Sequence, residues 1–286
     1  MLNLSKPDSL YNDGMKILIY SEKMSEDKDI GWHRGGHKIS YYQNGIKKES
    51  QKRSKSYYTL TFSYEFAYDD DTVYFAYCYP YTYSDLLDDM NKISSDPVKS
   101  SFCARKTLCL SVAENKVEML TITSKQNLEN LSRRKGVFLT ARVHPGESVG
   151  SWMMKGAVDF LTDESSEEAE ILRQNFVFKV IPMLNPDGVI NGNYRCSLAG
   201  CDLNRRWKAP SKMLHPCIYY TKQLMQNFAK ERDLILFCDF HGHSRRKNIF
   251  IYGCHVPGVP EETRLFPFIM SRLCPFFVYG LSRFGN

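Results

Sequence analysis

VFLTARVHPGESVGSWMMKGAVDFL, residues 137–161, is the stretch that decides the fold. Val137–Val143 reads as a strand. Ser148–Leu161 reads as a helix, with Val149, Trp152, Met153, Ala157 and Phe160 recurring at helical spacing along one stripe. Between them stands His144-Pro145-Gly146-Glu147. In open α/β sheets, ligand sites gather beyond the carboxyl ends of the strands. Here a histidine and a carboxylate arrive at such an end three residues apart, so both side chains reach one point. Taken alone the pair is weak evidence, because a glutamate at a helix start is favoured by the helix dipole whatever else it does.

Downstream, strands and helices alternate. Phe176–Met183 is nearly all apolar, as a strand covered on both faces should be. A polar stretch runs over residues 185–214, followed by a helix at about Pro216–Lys230 and strands at Leu234–Phe240 and Asn248–Gly253. Upstream, Arg105–Ala113 and Val117–Thr123 form a hairpin turning at Glu114-Asn115, and Ser84 caps a helix that carries Leu86, Leu87, Met90 and Ile93 on one face. The expected fold class is α/β, an α/β/α sandwich on a mixed sheet. Further upstream the pattern changes to period two. Tyr58, Leu60, Phe62, Tyr64 and Phe66 alternate with polar residues, Asp69-Asp70-Asp71 breaks the run, and Thr72–Tyr77 resumes it. With Lys16–Tyr20, this predicts a hairpin-containing, β-rich module over residues 1–79, ahead of a larger domain over 80–286.

The 286 residues are 43% hydrophobic and 24% charged, an ordinary soluble composition. The N-terminus lacks the basic and apolar regions of a secretory signal, and no segment approaches the ~18 apolar residues that span a bilayer. The nine cysteines are scattered without a CxxC pair, which argues against a thiolate zinc site and for a reducing, cytoplasmic setting. A net charge of +6 weakly favours acidic partners. The densest basic run, Lys47 to Lys55, lies among polar residues and reads as a solvated loop. Lacking interleaved aromatics, it points to no nucleic acid.

A second strand end strengthens the case for a metal. Leu234–Phe240 runs into Asp239-Phe240-His241-Gly242-His243. A histidine here closes a His/Glu/His set, which suits zinc and leaves a coordination position for water. His241 and His243 fall on the same face of an extended segment, so spacing does not choose between them.

Four motifs now stand in order: His144-Pro145-Gly146-Glu147, Asn185-Pro186-Asp187-Gly188, Asp202-Leu203-Asn204-Arg205-Arg206-Trp207 and Asp239-Phe240-His241-Gly242-His243-Ser244. Together they resemble the zinc metallocarboxypeptidase family. With Cys78-Tyr79-Pro80-Tyr81-Thr82-Tyr83-Ser84 they are most similar to its cytosolic carboxypeptidase branch, known for removing glutamates from tubulin and related proteins. The resemblance implies a carboxypeptidase-like fold and one zinc ion per chain held by His144, Glu147 and His241. Asp202 would orient a ligating histidine, Asn204 and Arg205 would grip the substrate's terminal carboxylate, and Arg195 would stabilise the oxyanion. It implies acidic or polyglutamylated protein tails such as tubulin as partners, and a cytosolic setting with microtubules or cilia in view. Arg245, Arg246 and Lys247 are candidates for holding a glutamate side chain, with an exposed basic turn as the simpler account.

The family's general base is a glutamate on a strand well downstream of the third ligand. Only 45 residues follow His241, and their carboxylates are Glu261 and Glu262, in a stretch that reads as a loop before a helix. The expectation is therefore a domain that stops before its base, so the general base is not present in this chain. Two readings follow: a carboxypeptidase recorded incompletely, or a non-catalytic zinc-containing binder of acidic protein tails. An amidohydrolase of small acyl-amino acids fits less well, because the β-rich leader and the Cys78–Ser84 motif point to the protein-processing branch.

Overall fold

The structure, a computed structural model, is described over residues 1–48 and 55–285. In chain order the first elements are β1 (Ile17–Ser21), α1 (Glu22–Lys28), β2 (His33–Gly35), β3 (His37–Lys48), β4 (Lys55–Ser63) and β5 (Val73–Ala76). Then come α2 (Tyr83–Ser95), α3 (Lys99–Phe102), β6 (Cys103–Leu110), β7 (Lys116–Ile122), β8 (Lys135–Ala141), α4 (Ser148–Leu161) and α5 (Glu167–Asn175). The rest are β9 (Phe176–Ile181), α6 (Pro186–Ile190), α7 (Pro216–Glu231), β10 (Leu234–Phe240), β11 (Tyr252–Cys254), α8 (Pro260–Leu273) and β12 (Arg283–Gly285).

The central sheet has the order β10-β8-β9-β7-β6, with β10, β8 and β9 parallel, β7 antiparallel to β9, and β6 antiparallel to β7. It is a mixed sheet with helices on both faces, as expected. Period two sorts the residues of β8. Val137, Leu139 and Ala141 join one core with Leu86, Met90 and Ile93 of α2 and Met154, Val158 and Leu161 of α4. Phe138 joins the other, with Ile218 and Phe228 of α7. Burial on both faces explains why these strands read as continuous apolar runs.

Three local readings are corrected. The hairpin expected between residues 57–66 and 72–77 does not form: β4 pairs with β3, and β5 pairs with β1. The reason lies in the acidic run. Asp71 accepts from Ser21 Oγ and the Lys23 amide, and Glu22 N donates to Thr72 O, so the run ties β5 to the β1–α1 junction instead of turning a hairpin. In α4 the buried face is Gly150, Ser151, Met154, Val158 and Leu161, whereas Val149, Trp152 and Phe160 are exposed. Two apolar stripes compete there, and the one with small residues comes closest to the sheet. The cap of α2 is Thr82 rather than Ser84, and it forms a capping box with Asp85.

The chain groups into two compact units, one of residues 16–37 and 63–242, the other of residues 1–15, 38–62 and 243–286. These groupings interleave along the chain. In the second unit Tyr41 stacks on Tyr58, β11 and β12 pair in parallel, and Lys247 lies 3.7 Å from Asp13. The predicted basic loop crosses residues 49–54, which lie outside the described residues. Among the described residues, no helix is long and apolar enough to cross a membrane.

Candidate metal centre

The site forms where β8 and β10 end side by side. Their parallel register pairs Thr140 with Asp239 and Ala141 with Phe240, so the chain leaves both strands at the same level. His144 and His241 follow at once, with ring centroids 5.0 Å apart. Glu147 stands between them. Its Oε1 is 2.9 Å from His144 Nδ1, its Oε2 is 3.0 Å from His241 Nδ1, and Oε2 also accepts from Gly242 N at 2.9 Å. One ligand atom from each of His144, Glu147 and His241 lies within 4.8 Å of the other two. Two imidazole nitrogens and a carboxylate oxygen at this spacing fit a tetrahedral divalent ion with one position left open. His243 instead accepts from the amides of Arg245 and Arg246 through Nδ1 and packs on Phe250.

Each imidazole turns its other nitrogen to a second carboxylate. His144 Nε2 meets Asp202 Oδ1 at 3.0 Å, and His241 Nε2 meets Asp239 Oδ2 at 2.7 Å. Asp202 also caps the short turn Leu203–Arg205 through the Asn204 amide, so its capping and orienting roles coexist. Burial acts to raise the Glu147 pKa, but hydrogen bonds from His144, His241 and Gly242 outweigh it and hold the carboxyl well below its usual range. Burial likewise opposes charge on His241, but Asp239 and Glu147 prevail and push it up to about 10. Asp202 is lowered: its burial is outweighed by His144, the Asn204 amide and Arg195.

Of the proposed substrate residues, Arg195 reaches the cluster. Its Nε and Nη2 lie 2.9 and 2.8 Å from Asp202 Oδ2, and its Nη1 is 4.0 Å from Glu147 Oε1. Arg205 is exposed, with its guanidinium bonded to the Asn204 carbonyl, and Asn204 Oδ1 accepts from Trp207 Nε1. Of the basic triplet after His243, Arg246 donates to Leu281 O and lies over Phe250. Glu261 and Glu262 sit in the first turn of α8.

The sequence reading missed several residues that build the site. Arg142 is buried, with φ of +58°, a conformation costly for a branched-free but bulky side chain. Its Nε donates to Pro145 O, and its Nη1 donates to Tyr81 O and Ser151 Oγ. Tyr79 O accepts from Ser148 Oγ and Trp152 Nε1. The Cys78–Ser84 motif thus lends the carbonyls of an irregular segment to the metal loop. Asp187 accepts from Ser111 Oγ, the Ala113 amide and Asn115 Nδ2, which anchors the β6–β7 turn. Gly146 is required by close approach, since a Cβ there would lie 2.4 Å from the Tyr194 ring and 2.7 Å from its carbonyl. The visible signals were a charge inside an apolar run at Arg142, and an aspartate two residues before a histidine at Asp239.

Comparison with known proteins now settles the family. The family described as zinc carboxypeptidase matches residues 97–265, more than half of the chain. This chain belongs to the zinc carboxypeptidase family. It is 50% identical to cytosolic carboxypeptidase 2 of Xenopus tropicalis over 277 residues, covering 96% of this chain and 28% of that protein. It is 47% identical to cytosolic carboxypeptidase 3 of Mus musculus, covering 100% of this chain and 28% of that protein. With cytosolic carboxypeptidase 2 of Homo sapiens the identity is 48%, over 96% of this chain and 30% of that one. The chain thus spans less than a third of the length of these relatives. The fold matches the metallo-carboxypeptidase from Burkholderia cenocepacia with a TM-score of 0.71 at 20% identity, covering 95% of this chain and 65% of that one. The cluster of His144, Glu147 and His241 is in keeping with the zinc named in the family's description.

Proposed function

We propose that this chain carries the zinc-binding part of a carboxypeptidase that removes C-terminal residues, glutamates foremost, from proteins such as polyglutamylated tubulin. The observation that carries the reading is the convergence of His144 Nδ1 and His241 Nδ1 on the two oxygens of one carboxylate, Glu147. Zinc bound by these three residues would activate water and polarise the scissile carbonyl.

The remaining work falls to the chain's own side chains. Exposed Arg205, with the Asn204 amide group beside it, grips the terminal carboxylate of the substrate through paired charge-assisted bonds. Arg195 leans on Asp202 and lies at the edge of the cluster, where its guanidinium offers positive charge to an oxygen that becomes negative. Asp202 keeps the His144 ring oriented with its Nδ1 toward Glu147. Acidic tails are favoured by the +6 net charge. The cytosolic relatives support a cytosolic place of action.

The test loads the 286-residue protein with zinc and supplies a polyglutamylated peptide beside the same peptide amidated at its C-terminus. The expected result is one zinc per chain, lost in Glu147→Gln, with binding of the free-carboxylate peptide weakened in Arg205→Ala. Release of glutamate from that peptide alone establishes the peptidase, whereas zinc retention and peptide binding without release is the outcome shared by a zinc-binding part lacking its base and by a holder of acidic tails. A chain whose zinc content is the same in Glu147→Gln refutes both.

A further inference from the structure

The two imidazoles of the cluster are held from behind in different ways, and only one of the two holders was expected. Behind His144 stands Asp202, itself neutralised by Arg195. Behind His241 stands Asp239, on the same strand and two residues earlier, with its Oδ2 at 2.7 Å from His241 Nε2. Alternation along an extended strand puts residues i and i+2 on one face, so the contact follows directly from the backbone. The other oxygen of Asp239, Oδ1, accepts from Thr140 Oγ1 at 2.8 Å. Thr140 is fully buried on β8 and is the registered neighbour of Asp239 across the parallel pair. Asp239 is itself mostly buried, with 13% of its side chain exposed. Both of its oxygens are therefore committed, one to a fixed hydroxyl and one to the ring.

We propose that Asp239, locked by Thr140, is the positioning residue that fixes the ring orientation and Nδ1-ligating tautomer of His241. The proposal rests on the metal reading above and deepens it. A carboxylate accepting from Nε2–H keeps Nδ1 turned toward Glu147, where it donates to the carboxylate when no ion is held and offers its lone pair when one is, and it raises the ring's basicity as a ligand. Without it, a ring 32% exposed can rotate or change tautomer. Thr140 completes the device by removing the freedom of the carboxylate. Its bond crosses from one strand to the next, so the ring is referenced to the sheet and not to the loop that follows it. The rival account is a strand-end aspartate that only stabilises the β8–β10 pair. That account predicts altered melting without any change in metal affinity or in the tautomer.

The experiment measures zinc affinity by competition with a chromogenic chelator, the His241 tautomer by long-range ¹H–¹⁵N NMR, and melting of the metal-free protein. It compares the wild type with Asp239→Asn, Asp239→Glu, Thr140→Val and His241→Ala. The expected result is a loss of zinc affinity of about 10- to 100-fold in Asp239→Asn. Thr140→Val should lose about threefold, the worth of one hydrogen bond one step removed. Asp239→Glu should recover part of the affinity, and in the zinc-loaded protein Asp239→Asn should show His241 as a mixture of Nδ1- and Nε2-ligated forms. If Asp239→Asn does not fold, Thr140→Val and Asp239→Glu carry the same comparison. Zinc affinity lost in His241→Ala but unchanged within twofold in Asp239→Asn and Thr140→Val overturns the proposal and leaves the metal site standing. Equal affinity in wild type and His241→Ala removes the metal site, and the proposal with it.

Discussion

Gly150 and Gly156 lie in the same helix, α4, and replacing each with alanine separates packing from helix propensity. At Gly156 a new Cβ meets nothing within 4 Å, so Gly156→Ala should stabilise by about 0.5–1 kcal/mol through the usual glycine-to-alanine gain. At Gly150 the same Cβ would stand 2.7 Å from the carbonyl oxygen of Phe240 and 3.2 Å from its carbon. These are backbone atoms of β10 and cannot rotate aside. Relief requires α4 and the end of β10 to part by roughly 0.5 Å or more. Overpacking of this kind costs about 1–3 kcal/mol. Because both variants share most of the propensity gain, their difference reports the packing cost, and Gly156→Ala should be the more stable by about 1–3 kcal/mol. Glu147 immediately precedes this helix and His241 follows Phe240, so the displacement should also stretch the 3.0 Å Glu147–His241 contact and weaken zinc binding in Gly150→Ala alone. Urea denaturation of the metal-free protein and a zinc competition titration read the two effects. Equal stability of the two variants, with equal zinc affinity, would show that α4 does not set the spacing of the ligands.

Removing the buried guanidinium in Arg142→Ala leaves Pro145 O, Tyr81 O and Ser151 Oγ without their donor; denaturation should show a loss of about 3 kcal/mol. In the metal-free protein, the raised His241 pKa adds stability that is complete below its unfolded value of 6.5 and is lost as pH rises toward about 10. Melting temperature should therefore fall from pH 6.5 toward pH 10 in wild type more than in His241→Gln, and parallel slopes would refute the coupling. Cys254 is exposed, whereas burial pushes Cys103 up to about 12. Alkylation at pH 8 followed by mass spectrometry should modify Cys254 first and Cys103 only on unfolding.

Much of this architecture was legible because it rests on periodicity. Leu234–Phe240 and Ser148–Leu161 match their predicted limits, and the predicted 105–113/117–123 hairpin forms as β6 and β7. Strand partners were harder. Nothing in the alternation of residues 57–66 distinguishes β3 from β5 as a neighbour, since pairing across the chain depends on tertiary contacts and not on local pattern. The side of α4 that faces the sheet was hidden for a related reason. Gly150 and Ser151 carry little hydrophobic signal, yet their small size is what admits the backbone of β10. At the metal site, residue types that advertise chemistry were found, while Arg142, Thr140 and Asp239 act through position. Their partners are carbonyls, a hydroxyl and a ring nitrogen that only the folded chain brings near.

The cluster can be followed as a single hydrogen-bonded path: Thr140, Asp239, His241, Glu147, His144, Asp202, Arg195. It begins on a buried hydroxyl in mid-sheet and ends on a guanidinium that is 43% exposed. Its stiffness therefore falls along its length, with the β8–β10 register at one end and the 185–214 loop at the other. A slip of one residue between β8 and β10 would turn Asp239 and His241 to the opposite face together, because side chains alternate along a strand. The Thr140–Asp239 bond joins the two residues that the observed register sets side by side. The register that pairs Thr140 with Asp239 thus also places His241 beside Glu147, so an error in sheet assembly would break up the candidate cluster as well. Arg195, at the exposed end, is the member of the path held by side-chain contacts with Asp202 and Glu147 and not by the sheet.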